Sequence, residues 1–455
     1  MKSIFSFMVA TLLSFSIMAQ TNDAEVIKSI YDEALTESPG YENLRYLTKV
    51  IGHRLAGSPQ AAAAVDYTRQ LMESHGFDTV YLQPVMVPHW VRGEKEQLRM
   101  ISSYAGTQEL SVTALGNSIG TGNAGISAQV VEVQNFEELE KLGKKNIEGK
   151  IVFFNRAFDY TKINTFRAYG GAVDQRGAGA SEAAKYGAVA VVVRSMASQI
   201  DDIPHTGSLR YQDGIKQIPA VAVSTLDANL LSTVLKEDQQ LKVYVRTTSR
   251  MEEMEPSFNV IGQITGSEKP DEYIVIGGHL DSWDVGEGAH DDGGGCIQSI
   301  EVLRSFKALG IKPKHSLRAV MFMNEENGLK GGQEYAKVAL EKNEKHILAM
   351  ESDRGVFTPR GFTIQDPDML KQVQGWAPLF APYEIYEFIP GGGGSDIGPL
   401  KNQNTKMVGF LPDSHRYFKL HHTAADVFET VDKREMEMGA ATMTALIYLL
   451  DKYGF

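Results

Sequence analysis

Histidine, aspartate and glutamate recur in five short stretches of this sequence. They are His279-Leu280-Asp281, His290-Asp291-Asp292 ahead of three glycines, Glu325-Glu326, Glu351-Ser352-Asp353, and His421-His422 with Asp426 close behind. Imidazole and carboxylate together suit zinc, with manganese or cobalt as alternatives. Each stretch alone is ordinary: a His-x-Asp turn, a solvated Asp-Asp-Gly-Gly-Gly turn or an exposed Glu-Glu pair needs no metal. Glu325 and Glu326 carry more weight, because adjacent buried carboxylates repel unless a cation or a proton separates them. One of the pair on a metal and its neighbour facing water would relieve that repulsion.

What unites the stretches is the elements that precede them. Tyr273–Gly277, Leu317–Met323 and Ile347–Met350 read as buried strands, and an acidic or imidazole stretch comes after each. Helices are expected over Gly293–Leu309, Gly331–Leu340 and Lys433–Leu450, with a further strand at Met407–Leu411. Alternating strand and helix implies an α/β fold with a mostly parallel mixed sheet covered by helices, and such sheets gather ligands at the carboxyl ends of their strands. Upstream, Ser58 is a helix cap with Pro59 in the first helical position, and the helix runs to Ser74. Thr79–Val87 reads as a strand that Pro84 confines to a sheet edge. Between Gly116 and Thr247 the texture changes. Strands at Ile151–Phe154, Ala188–Val193 and Ile218–Val223, with a small-residue helix over Gly177–Gly187, read as a separate α/β unit.

The 455 residues are too many for one typical domain and suggest two or three. With 45 basic against 57 acidic residues the net charge is −12, which disfavours a nucleic-acid partner. The single cysteine, Cys296, excludes an intrachain disulfide and reads as a small buried residue. Lys2, an apolar run from Ile4 to Met18 and the small Ala19 read as a secretory signal cleaved near Ala19. The expected product is secreted or periplasmic, with no membrane partner after cleavage.

The motifs as a set resemble the M28 family of co-catalytic zinc peptidases. They are Gly278-His279-Leu280-Asp281-Ser282, Gly288-Ala289-His290-Asp291-Asp292-Gly293, Asn324-Glu325-Glu326-x-Gly328-Leu329-x-Gly331, Glu351-x-Asp353 and His422-Thr423-x-x-Asp426. Gly52-His53-Arg54-Leu55-Ala56-Gly57-Ser58 is similar to the family's N-terminal motif. Within the family the chain is most similar to the carboxypeptidase Q branch, through Arg194–Ser198, His205-Thr206-Gly207 and Tyr211–Gly214. The resemblance implies a catalytic domain over 20–117 and 246–455 with a protease-associated-type α/β insertion at 118–245. It implies two zinc ions per chain, Asp291 bridging them, His279 and Asp353 completing one site, and Glu326 and His422 the other. Asp281 would hydrogen-bond His279 and fix its tautomer, Glu325 would be the general base, and the Asp291–Asp292 peptide would be cis. The implied reaction is hydrolysis of dipeptides or short peptides with free termini, and the family's habit of dimerising adds a second copy of the chain as a partner.

Several positions stay open. His290 stands where relatives often carry Asn or Met, and packing is the expected role. His422 is favoured over His421 as a ligand. The Gly391–Gly394 run reads as a loop whose backbone approaches substrate, with Ser395 or Asp396 capping the next helix. His205 and Tyr211 are substrate-contact candidates through the branch resemblance alone. A single-zinc glutaminyl-cyclase-like acyltransferase and a non-catalytic binding protein share the fold. The first usually lacks the insertion, and the second would have lost ligands that are all present here.

Overall fold

In the computed structural model, which describes residues 22–455, the chain builds two eight-stranded sheets. The expected signal segment lies outside the described residues. The first sheet runs in the order Thr79–Val87, Glu255–Ile264, His315–Phe322, Lys269–His279, Lys345–Glu351, Lys406–Pro412, Pro359–Ile364, Glu387–Pro390. Its four central strands are parallel, and antiparallel pairs flank them on both sides. The sheet is therefore mixed with a parallel centre, as expected. Pro84 sits on the edge strand opposite Phe258, the edge position expected for it.

The central strands are apolar on both faces because helices cover both. Alternate residues divide cleanly. Ile274, Ile276, Leu317 and Ala319 pack with Ile297, Ile300 and Leu446 from the helices Gly294–Ala308 and Lys433–Tyr453. Val275, Val320 and Phe322 pack with Tyr335, Ala336 and Ala339 of the helix Lys330–Glu341. In the helix Pro59–Ser74, the Ser58 hydroxyl accepts the Ala61 N–H at 3.1 Å, the expected cap.

The second sheet comprises, in order, Gly106–Glu109, Gln97–Ser102, Lys242–Arg246, Ile126–Val133, Ile151–Phe154, Ala190–Arg194, Ala220–Val223 and Val112–Ala114. It begins at Gln97, well before the expected boundary at 118. The early strands belong to it through long-range pairing: Gln97–Ser102 with Lys242–Arg246, and Val112–Ala114 with Ala220–Val223. No local pattern announces which sheet such a strand will join.

Candidate metal centre

Parallel strands in register bring their carboxyl ends together. Gly277 pairs with Val320 on one side and Glu351 on the other. The residues just past that line are therefore neighbours: His279 ends its strand, Glu325 and Glu326 come after Met323, and Asp353 comes after Glu351. Asp291 arrives from the turn that opens the helix Gly294–Ala308, and its peptide bond to Asp292 is cis, as the resemblance implies. His422 arrives from beyond the short helix Tyr417–Leu420, in left-handed backbone at φ +63°.

Asp291 stands at the middle. Its Oδ1 lies 3.3 Å from His279 Nε2 and its Oδ2 lies 3.3 Å from His422 Nε2. His279 Nε2 also faces Asp353 Oδ1 at 3.5 Å, and His422 Nε2 faces Glu326 Oε2 at 3.1 Å. Each imidazole thus looks at two carboxylates. The other ring nitrogen is already committed: His279 Nδ1 donates to the Asp281 carbonyl at 2.9 Å, and His422 Nδ1 faces the Thr206 carbonyl at 3.3 Å. A neutral ring has one proton. With that proton on Nδ1, a lone pair on Nε2 confronts two anionic oxygens, an arrangement that a cation between them makes favourable. Asp291 Oδ2 and Glu326 Oε1 are also buried with no hydrogen-bond partner. The donor set therefore fits metal ions on both sides of Asp291.

The site's own electrostatics point the same way. Burial works against charge on His279, but Asp291 and Asp353 hold its pKa well above the usual value. Asp291 resists burial through His279 and His422 and stays well below the usual carboxylate range. Burial, reinforced by Asp291, pushes Glu326 up to about 7, and burial with Asp353 and Glu326 nearby pushes Glu325 up to about 8.

Asp281 differs from its expected role. Its carboxylate is 3.9 Å from His279 Nδ1, too far for a hydrogen bond, and its backbone carbonyl fixes the ring instead. The carboxylate accepts three backbone N–H groups, from Asn324 at 2.6 Å, Glu325 at 3.0 Å and Glu326 at 3.2 Å. It clamps the loop that carries two of the functional carboxylates.

Other expected residues divide. Ser395 lines the cavity above the centre. Asp396 does not: it is buried with both carboxylate oxygens unpartnered, and it caps no helix. Gly394 packs against Glu351, whose Oε1 lies 1.8 Å from where a Cβ would stand, so this glycine answers to a buried carboxylate rather than to substrate. His205 is buried outside the cavity lining. Tyr211 is structural, its hydroxyl donating to the Ile218 carbonyl at 2.7 Å and accepting the Ile119 N–H at 3.1 Å. A branch motif can mark packing as readily as contact, and here burial decides. His421 stacks on His422 with ring centroids 3.5 Å apart, and its Nε2 lies 3.8 Å from Asp291 Oδ2. His290 packs flat on Phe357 and accepts the Val356 N–H, turned away from the centre. Cys296 is fully buried.

Two further residues support the centre from behind. Asp426 accepts the N–H groups of His290 at 2.8 Å and Asp291 at 3.1 Å, fixing the backbone under the central carboxylate. Arg54, fully buried, donates to the carbonyls of Gly52, Leu280, Glu287 and Gly288. Asp426 stands in the sequence as one of the acidic residues near His422, and Arg54 only as a member of a motif. The cavity itself is about 550 Å³, and its wall includes Tyr169, Arg176, Ser208 and Arg210 from the second unit.

Comparison with known proteins agrees with this geometry. Residues 259–447 match the model of peptidase family M28. The chain is 35% identical over 423 residues to carboxypeptidase Q of Bos taurus, covering 93% of this chain and 87% of that protein. It is 34% identical to the Homo sapiens carboxypeptidase Q over the same shares. The crystal structure of a peptidase M28 precursor from Shewanella amazonensis superposes with a TM-score of 0.90 at 32% identity, covering 96% of this chain and 98% of that one. A zinc aminopeptidase from Bacillus subtilis shares the fold at a TM-score of 0.65 and 19% identity, over 91% and 96% of the two chains. The chain belongs to peptidase family M28, and it is a metallo-exopeptidase.

Proposed function

We propose that this chain is an exported exopeptidase holding two zinc ions, which hydrolyses dipeptides or short peptides with free termini. The observation that carries this reading is the position of Asp291, whose two oxygens each face a different imidazole at 3.3 Å, with a further carboxylate beside each ring. On this reading His279, Asp291 and Asp353 hold one ion, and His422, Asp291 and Glu326 the other. Two such half-sites favour a peptidase over a single-zinc acyltransferase, and their completeness favours an enzyme over a binding protein. Export rests on the N-terminal Lys2, the Ile4–Met18 run and Ala19. No helix among the described residues is long and apolar enough to cross a membrane.

When bound, the metal ions supply Lewis acidity, lowering the pKa of the attacking water and stabilising charge on the carbonyl oxygen. The protein supplies the proton path. Glu325 lines the cavity with its N–H tied to Asp281, so its carboxylate reaches the reacting centre from a fixed backbone. It takes one proton from the water as the oxygen bonds to the scissile carbon, and returns it to the leaving nitrogen as the C–N bond breaks. A carboxylate next to a metal-facing one, on a backbone that Asp281 holds, can serve both halves of that exchange.

The test is metal content together with dipeptide hydrolysis, for the wild type and Glu325→Gln. Two zinc ions per chain in both, with kcat lower by about three orders of magnitude or more in the variant, is the expected result. One ion or none, with no hydrolysis by wild type after zinc or manganese is supplied, would overturn the proposal.

A further inference from the structure

The His422 side of the metal centre is held from outside its own unit. Two segments of the second unit, Gly116-Asn117 and Thr206–Leu209, run side by side there. The Gly116 N–H donates to the Gly207 carbonyl and the Leu209 N–H to the Gly116 carbonyl, each at 3.0 Å. Thr206 is fully buried, and its hydroxyl donates to the Ala114 carbonyl at 2.7 Å. It grips His422 twice. The Thr206 N–H donates to the His422 carbonyl at 3.0 Å, and the Thr206 carbonyl faces His422 Nδ1 at 3.3 Å. Arg176 Nη1 approaches the same nitrogen at 3.4 Å but carries only donors, so the ring proton goes to Thr206. Gly207, at φ +129°, lets the segment come this close: a Cβ there would lie 2.7 Å from His422 Nδ1.

The same segments reach the loop that carries Glu326. Asn117, in left-handed backbone at φ +67°, exchanges amide bonds with Asn327, the residue after Glu326. Its Nδ2 donates to the Asn327 carbonyl at 3.4 Å, and its Oδ1 accepts from Asn327 Nδ2 at 3.3 Å. The second unit is itself tied down beside the centre, where Arg92 donates to the Asp284 carboxylate at 2.9 Å and to the Ala114 carbonyl at 2.9 Å. The His279 side is built differently. The first unit closes it alone: the Asp281 carbonyl takes His279 Nδ1 at 2.9 Å, and the Asp292 carboxylate accepts the His279 N–H at 3.0 Å.

We propose that Thr206 and Asn117 are positioning residues for the His422–Glu326 half-site, which is complete only while the second unit is docked. The ion on that side depends on the second unit, and the ion on the His279 side does not. This inference rests on the proposed two-ion reading. Hydrogen bonds behind a metal ligand fix its orientation and are worth about 10- to 100-fold in affinity. The coupling is reciprocal, so the ion beside His422 must hold the second unit in place by the same factor.

The experiment titrates metal-free wild type, Asn117→Gly and Gly207→Ala with zinc by calorimetry. Glu326→Gln and Asp353→Asn assign each binding step to its side. Asn117→Gly keeps the left-handed backbone and removes the amide, so it should weaken the His422-side ion by about tenfold and leave the other within about threefold. Gly207→Ala pushes the Thr206 segment off the ring and should weaken the same ion by up to about a hundredfold. Asn117→Gly adds no contact, so it carries the test even where Gly207→Ala disturbs folding. Cadmium-loaded protein gives a signature that a general loss of stability does not: of two metal resonances, only the one lost in Glu326→Gln should move in Asn117→Gly. Hydrogen exchange reads the reverse direction. Zinc beside His422 should slow exchange of the Thr206 N–H by about tenfold, and Glu326→Gln should abolish the slowing. Equal weakening of both ions, or of neither, would overturn the inference while leaving the two-ion centre intact. So would a Thr206 N–H indifferent to zinc. A single ion in wild type would strike the two-ion reading, and this inference with it.

Discussion

Asp281→Asn separates two accounts of how the metal centre is held. The native carboxylate accepts three backbone N–H groups at 2.6, 3.0 and 3.2 Å from Asn324, Glu325 and Glu326, and it is fully buried. The asparagine side chain can keep one oxygen toward the Asn324 and Glu325 N–H groups. It must then turn its NH2 toward the Glu326 N–H, donor against donor. Bonds to a charged acceptor are worth about 1.5–3 kcal/mol each, so losing one and neutralising two costs about 3 kcal/mol, concentrated on this loop. Glu326 should shift, weakening the zinc site it shares with His422 by about 10- to 100-fold. Glu325 should shift with it, lowering kcat by about a hundredfold even at saturating metal, because misplacement by ~1 Å carries that penalty. Two-site calorimetric titration of metal-free protein, paired with steady-state kinetics at saturating zinc, reads both effects. The reasoning fails if only the site of His279 and Asp353 weakens, with kcat within about threefold of wild type. The carboxylate would then act through the His279 ring, not through the loop.

Other expected outcomes are simpler. Arg54→Met removes four bonds to backbone carbonyls, two of them buried, and should lower unfolding free energy by about 3–5 kcal/mol in urea titration; a loss under about 1 kcal/mol would show that those carbonyls find water. In Gly116→Ala the new Cβ would lie 1.8 Å from the Trp283 ring, which packs edge-on against His422, so stability should fall by about 1–3 kcal/mol with weaker zinc binding; unchanged metal affinity would separate the indole from the site. Burial lowers the His346 pKa to about 4 against 6.5 unfolded. The unfolded chain thus binds the extra proton first, and stability is lost as pH falls from 6.5 toward 4. Chemical denaturation at about pH 6.5 and about pH 4.5 should show His346→Gln with a loss smaller than wild type by about 2 kcal/mol; identical losses would refute the buried neutral ring.

Much of the centre was legible before any fold was known. His279, Asp291, Glu325, Glu326, Asp353 and His422 stand in the sequence as residues whose chemistry is narrow, all but His422 at the end of a buried strand or at a glycine turn. The central strands were legible too, because a strand covered on both faces is a nearly unbroken apolar run, as in His315–Phe322. The strand Glu255–Ile264 was less so: it opens with exposed Glu255 and Pro256 at its antiparallel margin, where one end faces solvent. Pro359–Ile364 and Glu387–Pro390 are short and rich in proline, glycine and charge, and only their partners make them strands.

The sequence by itself determined the chemistry, since imidazole and carboxylate at five loops admit few uses, and it determined the layered α/β plan through its strand and helix periods. Tertiary structure decided the rest. It turned the Asp281 carboxylate from a ring to a loop, packed His290 against Phe357, and took His205, Tyr211 and Asp396 out of the cavity. It also brought Arg176 to His422 across 246 positions of chain. Residue type limits what a side chain can do, and that is written locally. Which groups a side chain meets depends on packing between distant segments, and no local pattern encodes it.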